Sequence, residues 1–396
     1  MKPLISVIIP THNRYKYARH SITSILNIES DELELVVHDT STCSELKTWI
    51  KDNISDHRLV YIHTNELLSM TDNYNRSIDY AKGQYVCLIG DDDSVCHTII
   101  NAARLALREN IDVLTPTLVV NYAWPDFKTL FFNHAGKMYL KKYTGKKYCQ
   151  DTDNAIKKAI NMCFQGTLDL PKVYHGLVKL DKLKELKTKT GQYFWGVSPD
   201  ISGAIGIAML VKNYHIIDYP ITIPGASGGS NSGRSALNKH KGTLTGDPHM
   251  VRFKNEYWPQ EIPKFFSTET VWAQAALVTL IKLEKKDWLK KFNVIKFHAL
   301  CWFRHKDFAD ITKNNLLLYF KKNKTNLYKG WFLFYFFALR FCFDRVYYLI
   351  WRTIIPTASR GKKTFTNLKT IAEATIKLKK YIDDSTLKNS QLKVFQ

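Results

Sequence analysis

The chain has 396 residues, enough to bury a sizeable core and to divide into two domains. Its 57 Lys and Arg outnumber 36 Asp and Glu, for a formal charge of +21, and that balance points to an anionic partner: nucleotide, nucleic acid or an acidic membrane face. Seven scattered cysteines with no Cys-x-x-Cys pair leave out a disulfide framework and a zinc knuckle, and fit a reducing cytosol.

Residues 4–9 are a continuous apolar, β-branched run without alternation, as expected of a strand buried on both faces of a parallel sheet. The run is too short, and too soon broken by Pro10, for a signal peptide. A polar turn at Thr11, His12 and Asn13 precedes an expected helix over 15–27, and residues 33–37 form a second buried strand ending at His38 and Asp39. A helix near 43–52, a strand at 59–63, a helix near 71–81 and a strand at 85–89 continue the alternation. Together they predict a doubly wound, mostly parallel α/β sheet with right-handed crossovers. That fourth strand runs into Asp91, Asp92 and Asp93. Carboxylates so crowded repel one another unless a cation screens them, and the carboxyl ends of strands are where open α/β sheets bind ligands. A metal–diphosphate site is one reading of the triplet; a solvated acidic turn capping a helix over 97–109 is the other.

Beyond Asn110 the pattern loosens into a strand-like run at 113–122, an aromatic hairpin candidate around 124–139, a basic segment at 141–147, a helix near 153–162 and a further run at 173–180. Trp195-Gly-Val-Ser-Pro-Asp200 leads into an apolar helix over 201–211, and residues 216–223 read as the last clear strand. Residues 224–246 are rich in Gly, Ser and Asn, a length of loop that inside a compact domain is usually functional or disordered. From about Lys264 the chain turns helical, aromatic and basic without strand signal. The expected division is therefore a domain over 1–262 and a helical region over 263–396. Residues 331–351 resemble a membrane span, but Arg340, Asp344 and Arg345 interrupt them at a depth where charge is costly. On a helical wheel these three and Arg352 share an arc of about 140°, with aromatic and aliphatic residues on the remaining face. Such a helix either lies in a membrane interface, aided by Lys362, Lys363 and the later lysines, or packs in a bundle or a dimer contact.

Taken in order, the strand and turn SVIIPTHNRY, the turn VVHDTS, the segment NRSIDYAKGQYV, GDDD and SPD resemble family 2 glycosyltransferases of the GT-A fold. The resemblance implies a nucleotide-sugar donor lying across the carboxyl edge of the sheet, Mn²⁺ or Mg²⁺ bridging its diphosphate, and a carboxylate that deprotonates the acceptor hydroxyl. It implies that Pro10, Thr11 and Asn13 wrap the nucleotide with Arg14 beside them, that Asp39 contacts the base, and that Asn75 serves the donor site, with Asp72 and Arg76 nearby. The family's common Asp-x-Asp-Asp starts here with Gly90, which puts Asp92 on the metal, Asp91 near the ribose or metal, and Asp93 after them as a further ligand. Asp200 stands at the position of the catalytic base, although an Asp there also suits a helix cap. Trp195 is either a wall for the acceptor sugar or a core residue. In the loop, Arg234 and Lys239 suit the diphosphate, and His240 and His249 are each candidates for a further protein ligand to the metal.

The reaction so implied is an inverting transfer from a nucleotide sugar, UDP-linked by default, to a saccharide acceptor. A lipid-linked acceptor on the cytoplasmic face of the cell membrane, in O-antigen or capsule synthesis, fits the basic aromatic tail. A different nucleotide-dependent transferase would favour a Gly-rich phosphate loop, which residues 11–16 lack. A non-catalytic basic protein on a degenerate scaffold would grip membrane or nucleic acid, but no nucleic-acid-reading motif is visible and none is expected. A homo-oligomer through the C-terminal helices stays open.

Overall fold

The computed structural model describes residues 2–130, 132–167, 169–246, 250–253, 255–354 and 362–388. Its first half is built from β1 (Ile5–Thr11), α1 (Tyr15–Leu26), β2 (Leu33–Asp39), α2 (Glu45–Asn53), β3 (Leu59–His63), α3 (Met70–Asp79) and β4 (Tyr85–Leu88). The continuous apolar runs give β1, β2 and β4 no exposed residue, whereas β3, at the sheet edge, is half-buried throughout. β1 lies between β2 and β4, all parallel, with Ile8 opposite both Val36 and Leu88. Three strands therefore end side by side at Thr11, Asp39 and the turn after Leu88.

The chain goes on through β5 (Ser94–Val95), α4 (Ile99–Arg108), β6 (Val113–Pro116), β7 (Val120–Ala123), β8 (Lys137–Leu140), β9 (Lys147–Cys149), α5 (Thr152–Asn161), β10 (Leu177–Lys179), α6 (Leu180–Thr190), α7 (Pro199–Ala208) and β11 (Tyr214–Ile217). The main sheet has the order β3-β2-β1-β4-β10-β6-β11-β9, with β10 antiparallel to both neighbours and β9 antiparallel at the edge. It is a mixed, mostly parallel sheet flanked by helices.

Next come β12 (Thr222–Ile223), β13 (Gly225–Ala226), α8 (Asn231–Ala236), β14 (Lys241–Gly242), β15 (Phe266–Ser267) and α9 (Thr268–Lys282). The rest is α10 (Lys286–Leu289), α11 (Val294–Arg304), α12 (Ala309–Lys322), α13 (Leu327–Ile354), β16 (Lys363–Phe365) and α14 (Ile371–Lys388). A smaller sheet has the order β13-β7-β8-β16.

Several expected elements divide. The run at 113–122 becomes β6 and β7 in two different sheets, and the run at 216–223 becomes β11 and β12. Pro116 and Pro220 lie at these breaks, where a residue without an N–H interrupts a ladder. Pro10, expected to end β1, lies within it opposite His38.

The strandless C-terminal region is also corrected. β16 pairs antiparallel with β8, and α14 buries Ile371, Ala374, Leu378 and Ile382 in the same core as β1 and α1. Residues 363–388 thus pack on the N-terminal domain; α9 and α11 share an apolar cluster with α5 and α7 of that domain, and α11, α12 and the first half of α13 form a further one.

Candidate active site at the carboxyl edge of the sheet

Two residues after β4 comes Gly90, where a Cβ would stand 2.9 Å from Asp93 Oδ2 and 3.0 Å from the Tyr174 hydroxyl and so would crowd both groups. The turn then sends three adjacent aspartates, all under 10% exposed, in different directions.

Asp91 faces β1. Its Oδ2 accepts from the Thr11 hydroxyl (2.7 Å) and its Oδ1 from Arg14 Nε (2.5 Å). Arg14 also reaches Asp92 Oδ2 (3.0 Å) and the Ser227 hydroxyl (2.8 Å). Burial works against the Arg14 charge, but Asp91 and Asp92 more than offset it. Asp91 is pushed up by burial, with Arg14 and Thr11 opposing.

Asp92 Oδ2 also accepts from Ser227 Oγ (2.5 Å), while Oδ1 accepts no hydrogen bond among the described residues. Burial first, then the charge of Asp93, pushes its carboxyl up to about 7. The loop carrying Ser227 is held close by backbone, since a Cβ on Gly225 would fall 1.8 Å from the Asp92 carbonyl oxygen.

Asp93, expected as a further metal ligand, points into the fold instead. Its Oδ2 accepts from Gly90 N–H (2.7 Å) and the Tyr174 hydroxyl (2.8 Å) and lies 3.1 Å from His175 Nε2, while Oδ1 accepts from Gly225 N–H (2.6 Å). Burial alone would raise its carboxyl, but His175 and these donors hold it below the ordinary range. Every oxygen is occupied, so Asp93 clamps the turn to the loop.

Residues expected to frame a nucleotide lie beside this cluster, at the ends of β1 and β2. Asp39, fully buried, accepts from the Tyr61 hydroxyl (2.8 Å) and Ser41 N–H (2.8 Å). Asn13 takes a left-handed φ of 53°. Its backbone N–H donates to Ser41 Oγ (2.7 Å) and its Oδ1 accepts from Thr42 N–H (2.9 Å), tying the ends of β1 and β2 together.

Asn75 has a different task from the one expected. Its Oδ1 accepts from the N–H groups of Tyr193 (3.0 Å) and Phe194 (2.9 Å), and its Nδ2 donates to the Phe194 carbonyl (3.0 Å). The side chain is spent on the loop leading to Trp195 and Asp200. Gly196, at φ 73°, lets that loop meet α9, where a Cβ would stand 2.5 Å from Gln274 Oε1. The Trp195 ring lies under Lys282 Nζ (4.1 Å).

Asp200 sits in the first turn of α7 behind Ser198, the N-cap residue, and Pro199. It accepts from Ser198 Oγ. Burial raises its carboxyl, opposed by Ser198 and by the N–H groups of Ile201 and Asp200. The residue thus combines a place in the first helical turn with a raised carboxyl pKa.

Sequence reasoning missed Tyr74, Ser227 and Arg252. Tyr74, half-buried on α3, packs against Tyr174 (6.5 Å between centroids) and Phe194 (6.4 Å). Its hydroxyl is held protonated by burial and then by the charges of Asp200, Asp93, Asp91 and Asp92. Arg252 donates to the Leu68 carbonyl (3.0 Å) and lies 2.7 Å from His12 Nε2. These contacts are long-range, and no local spacing announces them.

The loop residues are spread along its length. Arg234 lies over the Phe266 ring (5.7 Å), and His240 packs against the same ring (4.6 Å). His249 is outside the described residues. Among the described residues no three His, Cys, Asp or Glu side chains converge as a ligand set. A hard cation nevertheless fits Asp92, whose Oδ1 is open and whose raised pKa marks unbalanced negative charge. Such ions are commonly held by one or two carboxylates, with water and substrate phosphates completing the shell.

The sequence model of Glycosyl transferase family 2 matches residues 6–161. This stretch is a family 2 glycosyltransferase domain. Its sheet is mixed and mostly parallel, with Asp91 and Asp92 in the turn after β4. Among curated proteins, the chain is 32% identical over 95 residues to the GalNAc(5)-diNAcBac-PP-undecaprenol beta-1,3-glucosyltransferase of Campylobacter jejuni, covering 24% of this chain and 31% of that protein. It is 35% identical over 92 residues to the putative colanic acid biosynthesis glycosyl transferase WcaA of Escherichia coli, covering 23% and 33%. The matched stretch thus spans about a third of the length of these relatives. Among solved structures, Staphylococcus aureus TarS 1–349 in complex with UDP-GlcNAc aligns over 82% of this chain and 93% of its own, at 14% identity and a TM-score of 0.45.

Proposed function

We propose that the chain is an inverting glycosyltransferase moving a sugar from a nucleoside diphosphate to a saccharide hydroxyl in cell-surface polysaccharide synthesis. The carrying observation is the pair Asp91 and Asp92 at the carboxyl end of β4, drawn to Arg14 and Thr11 inside a family 2 domain, with Asp92 Oδ1 open. Arg14 offsets part of the carboxylate charge and, with Thr11, Asn13 and Asp39, frames the nucleotide. UDP is the default carrier. Mn²⁺ or Mg²⁺ on Asp92 would neutralise charge growing on the departing diphosphate.

Asp200 takes the acceptor proton as the hydroxyl attacks, and its raised pKa makes it a stronger base than an ordinary carboxylate. A single base on the acceptor side implies inversion at the anomeric carbon. Tyr74, kept protonated between Asp200 and the acidic turn, can donate a hydrogen bond but not take a proton. A lipid-linked acceptor is supported by the name of the Campylobacter relative, and it puts the reaction at the cytoplasmic face of the cell membrane.

The test is donor breakdown in the absence of acceptor, followed by phosphorus NMR across a panel of UDP-, GDP-, CDP- and dTDP-sugars, with the released anomer read by proton NMR. One donor should release its nucleoside diphosphate slowly with inverted configuration. Asp200→Asn should slow that release by about 10²- to 10⁴-fold. Turnover of none of the donors, or an unimpaired Asp200→Asn variant, contradicts the proposal.

A further inference from the structure

Helix α13 uses one face to pack and leaves another bare. Phe334 and Ala338 are buried against Ala299 of α11 and Leu316 and Phe320 of α12, with Trp302 and Trp331 completing the cluster. On a different face, Phe332, Phe336, Leu339, Phe343, Val346 and Ile350 recur at spacings of four and three and are 48–70% exposed. From Cys342 to Trp351 every residue is exposed, with Tyr347, Tyr348 and Trp351 at the far end. No helix among the described residues is long and apolar enough to cross a membrane.

Cations lie beside this stripe and at its start. At 100° per residue the exposed Arg340 stands next to the stripe, with the exposed Asp344 beyond it, whereas Arg345 falls on the opposite side of α13. Lys321, Lys322, Lys324 and Lys329 are exposed where α12 turns into α13. Lys306 Nζ sits 3.2 Å from the centroid of Trp302, whose ring packs against Phe334 and Tyr335. A second copy of the chain, itself at +21, would bring the same cations face to face across a symmetric contact, where like charges oppose association. An anionic headgroup layer complements them, and an apolar stripe bordered by basic residues and ending in Tyr and Trp is what an interfacial helix presents.

We infer that the outer face of α13 docks on a bilayer bearing anionic lipid, with the Phe332–Ile350 stripe inserted at the headgroup boundary and the flanking Lys and Arg on the phosphates. This deepens, and for its biological setting rests on, the reading of a lipid-linked acceptor, but its measurement needs neither donor nor acceptor and so fails or stands apart from the transfer reaction.

The experiment is co-sedimentation of the full chain with phosphatidylcholine vesicles, with and without phosphatidylglycerol. The triple variant Phe336→Ser, Phe343→Ser, Ile350→Ser is the comparison, chosen from exposed positions so that packing is kept, with thermal melting as the folding control. The parent should bind anionic vesicles at least about tenfold better than neutral ones, and less well at high salt. The variant should lose about tenfold or more while melting as the parent does. The inference is overturned if the parent ignores anionic vesicles, if the variant binds them equally, or if ultracentrifugation shows a dimer that the triple variant abolishes without any vesicle binding.

Discussion

Three identical letters in a row take three different roles here, and only their distant partners separate them. Asp91 answers to Thr11 and Arg14, Asp92 to Arg14 and Ser227, Asp93 to Tyr174, His175 and the Gly225 N–H. Since Ser227 lies 135 residues from Asp92 and Tyr174 81 residues from Asp93, local spacing gives no sign of which carboxylate turns inward. The acidic turn itself was legible, because an apolar run ending in charge has few explanations. Its division of labour was not. Tyr74 escaped for a related reason: within an amphipathic helix pattern an aromatic reads as core, and nothing nearby reveals that the charges of four aspartates act on its hydroxyl. At this scale Asp92 makes a prediction. Unfolded, it ionises in the ordinary carboxylate range; folded, only near 7. The unfolded chain therefore loses that proton first, and this group's contribution to stability declines as pH rises from about 4 to about 7. Without metal, Asp92→Asn should melt several degrees above the parent at pH 8 and lose most of that advantage at pH 5. An equal difference at both pH values would mean that Asp92 is not the residue carrying the unbalanced charge.

Elements were most legible where one physical signal dominated. The buried runs of β1, β2 and β4 and the helices between them follow from continuous hydrophobicity and polar turns. Short strands did not: β6 and β7, or β11 and β12, read as single runs because each run is rich in apolar and β-branched residues, and only tertiary pairing assigns the halves to different sheets. The segment from Gln192 to Asp200 shows how an element is positioned from outside itself. Asn75 satisfies the Tyr193 and Phe194 backbone, Ser202 takes the Trp195 N–H (2.7 Å), and Gln274 takes the Val197 N–H (3.0 Å). Asn75→Ala should therefore cost about 1–3 kcal/mol of stability, the range for leaving buried polar groups unpaired, and should open the 191–200 segment to protease. Nucleotide affinity should stay within about twofold, since the proposed donor site lies at the ends of β1, β2 and β4. A variant that melts normally yet loses nucleotide affinity would return Asn75 to the donor-binding role that the resemblance implied.

Across the whole molecule, the mostly parallel sheet flanked by helices was foreseen and the path of the last third was not. A boundary near residue 262 follows the change in composition, but β16 and α14 carry the chain back to the first domain. Their apolar positions are ordinary helix and strand signals that do not name the surface they cover. The charge of +21 likewise pointed to an anionic partner without choosing one; the exposed stripe of α13 and its cations give the choice a place, apart from the nucleotide edge. The central claim concerns that edge, and calorimetric titration tests it most directly. UDP, GDP, CDP and dTDP would be titrated into the full chain with Mn²⁺ or with chelator, alongside Asp92→Asn. One nucleotide should bind in the presence of metal, at least about tenfold more weakly with chelator, and equally weakly in the variant whatever the metal. Binding of none of the four, or binding that neither chelator nor Asp92→Asn alters, would contradict a donor site built on Asp91 and Asp92.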